Sequence, residues 1–263
     1  MDNVSVLLKE LDSYINRFIK ANEAFYTGVN SPDESEKLLA DYTAFILEHE
    51  NKKTWEESID PKLPAIKSRI DAARIESAHC VWAMEKYRAM ALLHSGDNTA
   101  DYFKNIEGCI ENEFGSFRPN KDSRILLIGV GAFPMTPLLI ARNTGARVVG
   151  IDIDAGAVEY AKKVLDLLGP DLDIEVSTQT CAELKFTKEA THIIFASTIP
   201  EKFDILQDLY QLTNKDAVVL MRYGNGFKSL FNYPLLNVPD GLWKRAENIC
   251  CENNVFDVAL YTK

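Results

Sequence analysis

The sequence predicts an α/β protein in which an all-helical N-terminal domain, residues 1–118, precedes a Rossmann-like α/β domain, residues 119–263. Up to about residue 115, apolar residues recur at spacings of three and four, the signature of helices with one buried face. From residue 122 onward, apolar runs of about four to eight residues alternate with helix-compatible stretches of about ten to fifteen, the signature of a largely parallel sheet covered on both faces. The composition, 46% hydrophobic and 26% charged over 263 residues, can build a proper core and excludes a disordered or collagen-like chain.

In the first helix Val4, Leu7, Leu8, Leu11, Ile15, Phe18 and Ile19 share a face. A second helix opens at Ser31, which can cap it, with Pro32 in the first helical position and Asp33 and Glu34 at the positive end of the dipole, and continues to Glu50. A third runs from about Pro64 to Leu93 and a fourth from Thr99 to Gly115. Then Ile125 to Ile128 read as a strand entering Gly129 and Gly131, followed by a helix to Arg142 and a strand in RVVGIDID. AGAVEYAKKVLDLLG and KFDILQDLYQLT read as helices, and DLDIEVSTQT, THIIFAST, DAVVLMRY and VFDVALYT as strands.

A formal charge of -10 argues against broad gripping of phosphate backbones, so no nucleic-acid partner is expected. The first residues are acidic and of mixed polarity, unlike a secretory signal, and no run approaches the roughly 20 apolar residues of a membrane span. The expectation is a cytoplasmic protein without a membrane partner. Cys80, Cys109, Cys181, Cys250 and Cys251 form no CxxC pair and read as reduced, mostly buried thiols. His49, His79, His94 and His192 are scattered, so no protein-borne metal site is expected.

Gly129-Val130-Gly131 lies between a strand and a helix, the context in which so short a signal carries weight. Glycine permits the tight turn and a ligand's close approach, and the helix start offers unpaired N–H groups. Asp152, 21 residues beyond Gly131, is placed to accept both ribose hydroxyls of an adenosine ligand. Phe133 and Pro134 stand where a dinucleotide fingerprint needs its third glycine, so their bulk favours S-adenosylmethionine over NAD. Asp154 is either a second ligand-facing acid or the cap of the next helix; Gln179 and Thr180, ending the third strand, either meet the adenine edge or satisfy their own turn.

Arg222 and Tyr223 end a strand at the edge where open α/β sheets bind ligands. Arg222 can hold a carboxylate there or form a salt bridge, while Gly224 and Gly226 allow a change of direction and Tyr233 is packing or ligand wall. In the third helix Ala78, Val81, Trp82, Glu85, Ala89 and Leu92 share a face, so Glu85 interrupts an apolar stripe. It is either paired, for example with Arg88, or a base whose proton affinity burial has raised. Tyr102 opens an amphipathic helix as core or as a catalytic group; Glu107, Glu111 and Glu113 read as solvated helix surface.

With IEGCIENEFG, LLIGVGAFPMTPL, GARVVGIDIDAGAV, THIIFASTIP, VVLMRYGNG and NYP through FDVALYTK, nearly the whole chain resembles the 2-aminobutanoyltransferases of staphylopine-type metallophore biosynthesis, bacterial relatives of nicotianamine synthase. The resemblance implies that S-adenosylmethionine is a co-substrate whose 3-amino-3-carboxypropyl group is transferred once to the α-amine of D-histidine. It implies release of 5'-methylthioadenosine and a downstream opine dehydrogenase that consumes the product. On it Gly129, Gly131, Phe133 and Pro134 match the cofactor loop and Asp152 the ribose-binding acid. Glu85 matches a glutamate placed near the attacking amine, Tyr102 approximately a tyrosine of the same chamber, and Arg222 the arginine after the late strand. The mechanism expected from these is Glu85 as general base, Tyr102 helping to orient the amine, and Arg222 fixing a carboxylate. A small-molecule methyltransferase, the same transfer to L-histidine and a noncatalytic nucleotide sensor are the competing readings. A homodimer is compatible with the sequence.

Overall fold

A computed structural model describes residues 2–28, 32–95, 110, 112–239 and 241–263. The chain forms two compact units, each assembled from separated segments. The first comprises Met1–Met84, Tyr223–Leu235 and Cys251–Asp257; the second comprises Glu85–Arg222, Leu236–Cys250 and Val258–Lys263. The transition between them falls inside one uninterrupted helix, where no glycine or proline marks it.

In the first unit, α1 (Asn3–Thr27) opens with the Asp2 carboxylate accepting the Ser5 N–H and closes on Gly28 in the left-handed conformation. Leu7, Leu11, Ile15 and Phe18 are buried as their spacing predicts, whereas Ile19, at the edge of the stripe, is exposed. The second predicted helix is divided: α2 (Pro32–Leu47) stops at Glu48, whose extended backbone starts α3 (His49–Ser58). α4 (Pro64–Ser95) is the predicted long helix, while most of the fourth predicted helix, with Tyr102, Glu107, Cys109 and Glu111, lies outside the described residues. The core centres on Tyr42, fully enclosed, whose ring packs 5.0 Å from Phe18 and 5.5 Å from Phe231 between ring centroids.

The second unit holds β1 (Arg124–Ile128), α5 (Met135–Thr144), β2 (Arg147–Ile151), α6 (Ala155–Leu168), β3 (Ile174–Ser177), β4 (His192–Phe195) and α7 (Lys202–Leu212). β5 (Val218–Tyr223), β6 (Lys244–Ile249) and β7 (Asp257–Thr262) complete a seven-stranded sheet of order β3-β2-β1-β4-β5-β7-β6. β1 pairs in parallel with β2 and β4, so the strand order reverses around it, the position beyond whose carboxyl end open α/β sheets bind ligands. Ile125, Leu126, Leu127 and Ile128 are all buried, as expected of a strand covered on both faces. β6, antiparallel to β7, is missing from the sequence reading because its residues, KRAENI, are mostly exposed and carry little apolar pattern. Among the described residues no helix is long and apolar enough to cross a membrane.

The Tyr42 hydroxyl donates to the Leu230 carbonyl at 2.9 Å in this buried core. Tyr42→Phe strands that carbonyl, and a loss of about 1–2 kcal/mol is predicted. Urea unfolding with an unchanged m-value checks it; an unchanged midpoint contradicts it.

Candidate active site

The glycine loop leaves β1 with Gly129 and Gly131 at φ 83° and 68°, the left-handed region that side chains other than glycine's adopt only at a cost. Two carboxylates occupy consecutive N–H groups of this loop. Asp152, directly after β2, accepts the Gly131 N–H at 2.9 Å through Oδ2 and the Asp154 N–H at 3.0 Å through Oδ1. Glu85, on α4, accepts the Ala132 N–H at 3.2 Å through Oε2. A Cβ at Gly131 would collide with the same Glu85 oxygen, so the glycine serves both the turn and the approach of the carboxylate.

Asp154 is the cap of α6: its Oδ1 accepts the N–H groups of Gly156 and Ala157, and its Oδ2 meets the Lys86 ammonium at 2.9 Å. Phe133 and Pro134 are buried at the start of α5. Gln179 donates its backbone N–H to Ser177 Oγ, and the Thr180 hydroxyl donates to Glu183, so this turn is internally bonded. Ile153, between the two aspartates, is 97% exposed, an apolar side chain presented at the carboxyl end of β2.

At the end of β5, Arg222 Nε donates to Glu113 Oε2 at 2.7 Å. Glu113 is therefore not solvated surface: its side chain is 2% exposed, and burial pushes its carboxyl upward while the Arg222 guanidinium opposes that shift. A helix read alone shows Glu113 as one more exposed acid, because the partner that draws it inward lies 109 residues away. Sequence reasoning also passed over Lys86, Ile153 and Lys202. Of these, Ile153 had a local signal, an apolar residue between two acids after a strand, and Lys202 a weaker one, a cation at a helix start. Tyr102 lies outside the described residues. Among the described residues no cluster of three or more His, Cys, Asp or Glu could hold a metal ion.

Glu85 is part-buried, and desolvation lifts its carboxyl from the ordinary 4.5 to about 8. The nearby Asp152 charge acts in the same direction, and the Ala132 N–H and the Arg88 charge oppose it. The arrangement can therefore store a proton near neutral pH beside the glycine loop.

This glycine loop, followed by an acid at the end of β2 in a sheet of this order, defines a Rossmann-like domain. The whole fold is that of nicotianamine synthase. A point mutant of MtNAS superposes with a TM-score of 0.78 at 16% identity, covering 97% of each chain, and MtNAS in complex with MTA and tNA with a TM-score of 0.75 at 17% identity over the same shares. No family model matches the chain. Its sequence is 33% identical over 186 residues, 70% of each chain, to the L-histidine 2-aminobutanoyltransferase of Pseudomonas aeruginosa. Over 152 residues, 57% of this chain and 56% of the relative, it is 32% identical to that of Yersinia pestis. The chain belongs to the 2-aminobutanoyltransferase family.

The raised Glu85 carboxyl has a thermodynamic signature. Above the unfolded value of 4.5 the native state keeps a proton that the unfolded chain gives up, so stability falls as pH rises from there to about 8. Glu85→Gln removes that loss and is predicted to be more stable than the wild type by up to about 5 kcal/mol at about pH 9, with the gain vanishing at about pH 4. Denaturant unfolding at the two pH values checks it; a variant less stable at both contradicts it.

Proposed function

We propose that the protein transfers one 3-amino-3-carboxypropyl group from S-adenosylmethionine to the α-amine of D-histidine and releases 5'-methylthioadenosine, in opine metallophore biosynthesis of the staphylopine type. The observation that carries the reading is the Glu85 carboxyl held on the glycine loop, in a chain of the 2-aminobutanoyltransferase family. S-adenosylmethionine supplies a sulfonium, whose γ-carbon takes the amine nitrogen as the carbon–sulfur bond breaks and its electron pair passes to sulfur.

The residues of the chain fit that co-substrate. Gly129 and Gly131 present backbone without side chains. Asp152 uses two of the carboxylate's roughly four acceptor sites, one on the Gly131 N–H and one on the Asp154 N–H, which leaves capacity for ribose hydroxyls. Ile153 offers an apolar face to the adenine, with Gln179 and Thr180 at the end of β3 beside it and Phe133 and Pro134 shaping the loop floor. Glu85 takes the proton that the attacking amine must lose, and its raised proton affinity brings it closer to that of the amine. Arg222, steadied by Glu113, holds a carboxylate so that the γ-carbon rather than the methyl group faces the amine, and Tyr102 orients the amine. The product keeps the primary amine of the transferred group, a handle for a downstream opine dehydrogenase.

D-histidine is proposed from the resemblance of GAFPMT, GIDID and MRYGNG to the staphylopine branch. The names of the relatives in Pseudomonas aeruginosa and Yersinia pestis support L-histidine as a second reading. Inverting the α-carbon exchanges side chain and hydrogen while amine and carboxylate stay anchored, so one site cannot present both enantiomers equally.

Purified protein given S-adenosylmethionine and each enantiomer is predicted to yield one aminobutyrate adduct per methylthioadenosine by mass spectrometry, with kcat/KM higher for D-histidine. A ratio favouring the L form overturns the enantiomer, and methylated histidine with S-adenosylhomocysteine overturns the reaction. Asp152→Ala is predicted to weaken S-adenosylmethionine binding by about 1–3 kcal/mol in calorimetry, and an unchanged Kd removes it from the site. Glu85→Gln is predicted to lower turnover about 100-fold or more while cofactor binding persists, and wild-type kcat/KM should rise with pH through about 8. Near-wild-type single-turnover rates in that variant contradict the base.

A further inference from the structure

Lys202 is completely buried and is the first residue of α7, so its charge bears both a desolvation cost and the unfavourable end of a helix dipole. Its ammonium offsets these by donating to two carbonyls, Ser197 at 3.0 Å and Arg222 at 2.7 Å. Ser197 belongs to the connection between β4 and α7, which leans on the glycine loop: a Cβ at Gly129 would stand 2.9 Å from Ala196 Cβ and 3.0 Å from Ile199 Cδ1. Arg222 is in turn held by Glu113 through its side chain. One ammonium thus ties the backbone of the arginine to the loop that braces the glycine turn.

Resting on the transfer reading above, we propose that Lys202 is a positioning residue for the reaction: it fixes the ends of β4 and β5 so that Arg222 keeps a set distance from the glycine loop. In-line attack on one carbon of three bonded to sulfur depends on such spacing, and a displacement of about 1 Å can cost about 100-fold in rate. The charge of Lys202 also adds positive potential at the carboxyl edge of the sheet, where a ligand carboxylate is held.

The test is product stoichiometry in the full chain. In Lys202→Met, folded by circular dichroism, S-adenosylmethionine is predicted still to bind, with Kd raised up to about tenfold, while kcat falls by about 10- to 100-fold. Methylthioadenosine is predicted to exceed the aminobutyrate adduct. Water then attacks the γ-carbon, a carbon–oxygen bond forms as the carbon–sulfur bond breaks, the water loses a proton, and homoserine accompanies methylthioadenosine. A merely structural lysine lowers the melting temperature and the amount of active protein but leaves one adduct per methylthioadenosine. That one-to-one ratio overturns the proposal. If Lys202→Met does not fold, Ile199→Ala, which loosens the brace on Gly129, decides: excess methylthioadenosine supports the proposal and a one-to-one ratio overturns it. Failure of the transfer reading is distinguishable, because the wild type itself then forms no adduct.

Discussion

Two carboxylates on consecutive N–H groups of one glycine loop are the interaction on which the second unit's chemistry depends. Asp152 holds Gly131 and Glu85 holds Ala132, and the loop can take both only because Gly131 has neither a Cβ nor a bar to positive φ. Two acids brought to one loop repel each other, which adds to the desolvation that keeps the Glu85 proton in place. Asp154 extends the arrangement by capping α6 and meeting Lys86, so the backbone between β2 and α6 is fixed from both ends. A carboxyl that would be an ordinary surface acid on an isolated helix becomes a proton store through this setting.

The other charged group of the unit follows a different logic. Glu113 and Arg222 form a buried pair at 2.7 Å, and Lys202 sits beneath Arg222's carbonyl. A buried pair contributes little net stability, because desolvation consumes most of its attraction. Its value is geometric: a guanidinium steadied by one carboxylate keeps its plane, and a strand end tied by an ammonium keeps its position.

Much of this was legible in the residues. The Gly129 and Gly131 turn, the acid at Asp152 and the buried run Ile125 to Ile128 carry local signals, and the structure shows the predicted strand–turn–helix. Asp154 as a cap was one of two open readings, settled by the N–H groups of Gly156 and Ala157. Glu85 was visible as a break in an apolar stripe, but the loop it reaches lies 47 residues on, and no spacing rule measures that. Glu113 reads as surface in the sequence for the same reason, since its burial depends on Arg222. The split between α2 and α3 escaped notice because Glu48 leaves the helix through its backbone alone, and β6 because an exposed edge strand needs no apolar alternation.

Near neutral pH the loop holds Glu85 as a carboxylic acid, because burial lifts its carboxyl to about 8. The most direct measurement is the carboxyl C=O stretch, recorded by infrared spectroscopy as the difference between the wild type and Glu85→Gln across a pH titration. A protonated-carboxyl band that disappears with a midpoint at about 8 is expected. A band already lost near the ordinary value of 4.5 would contradict it.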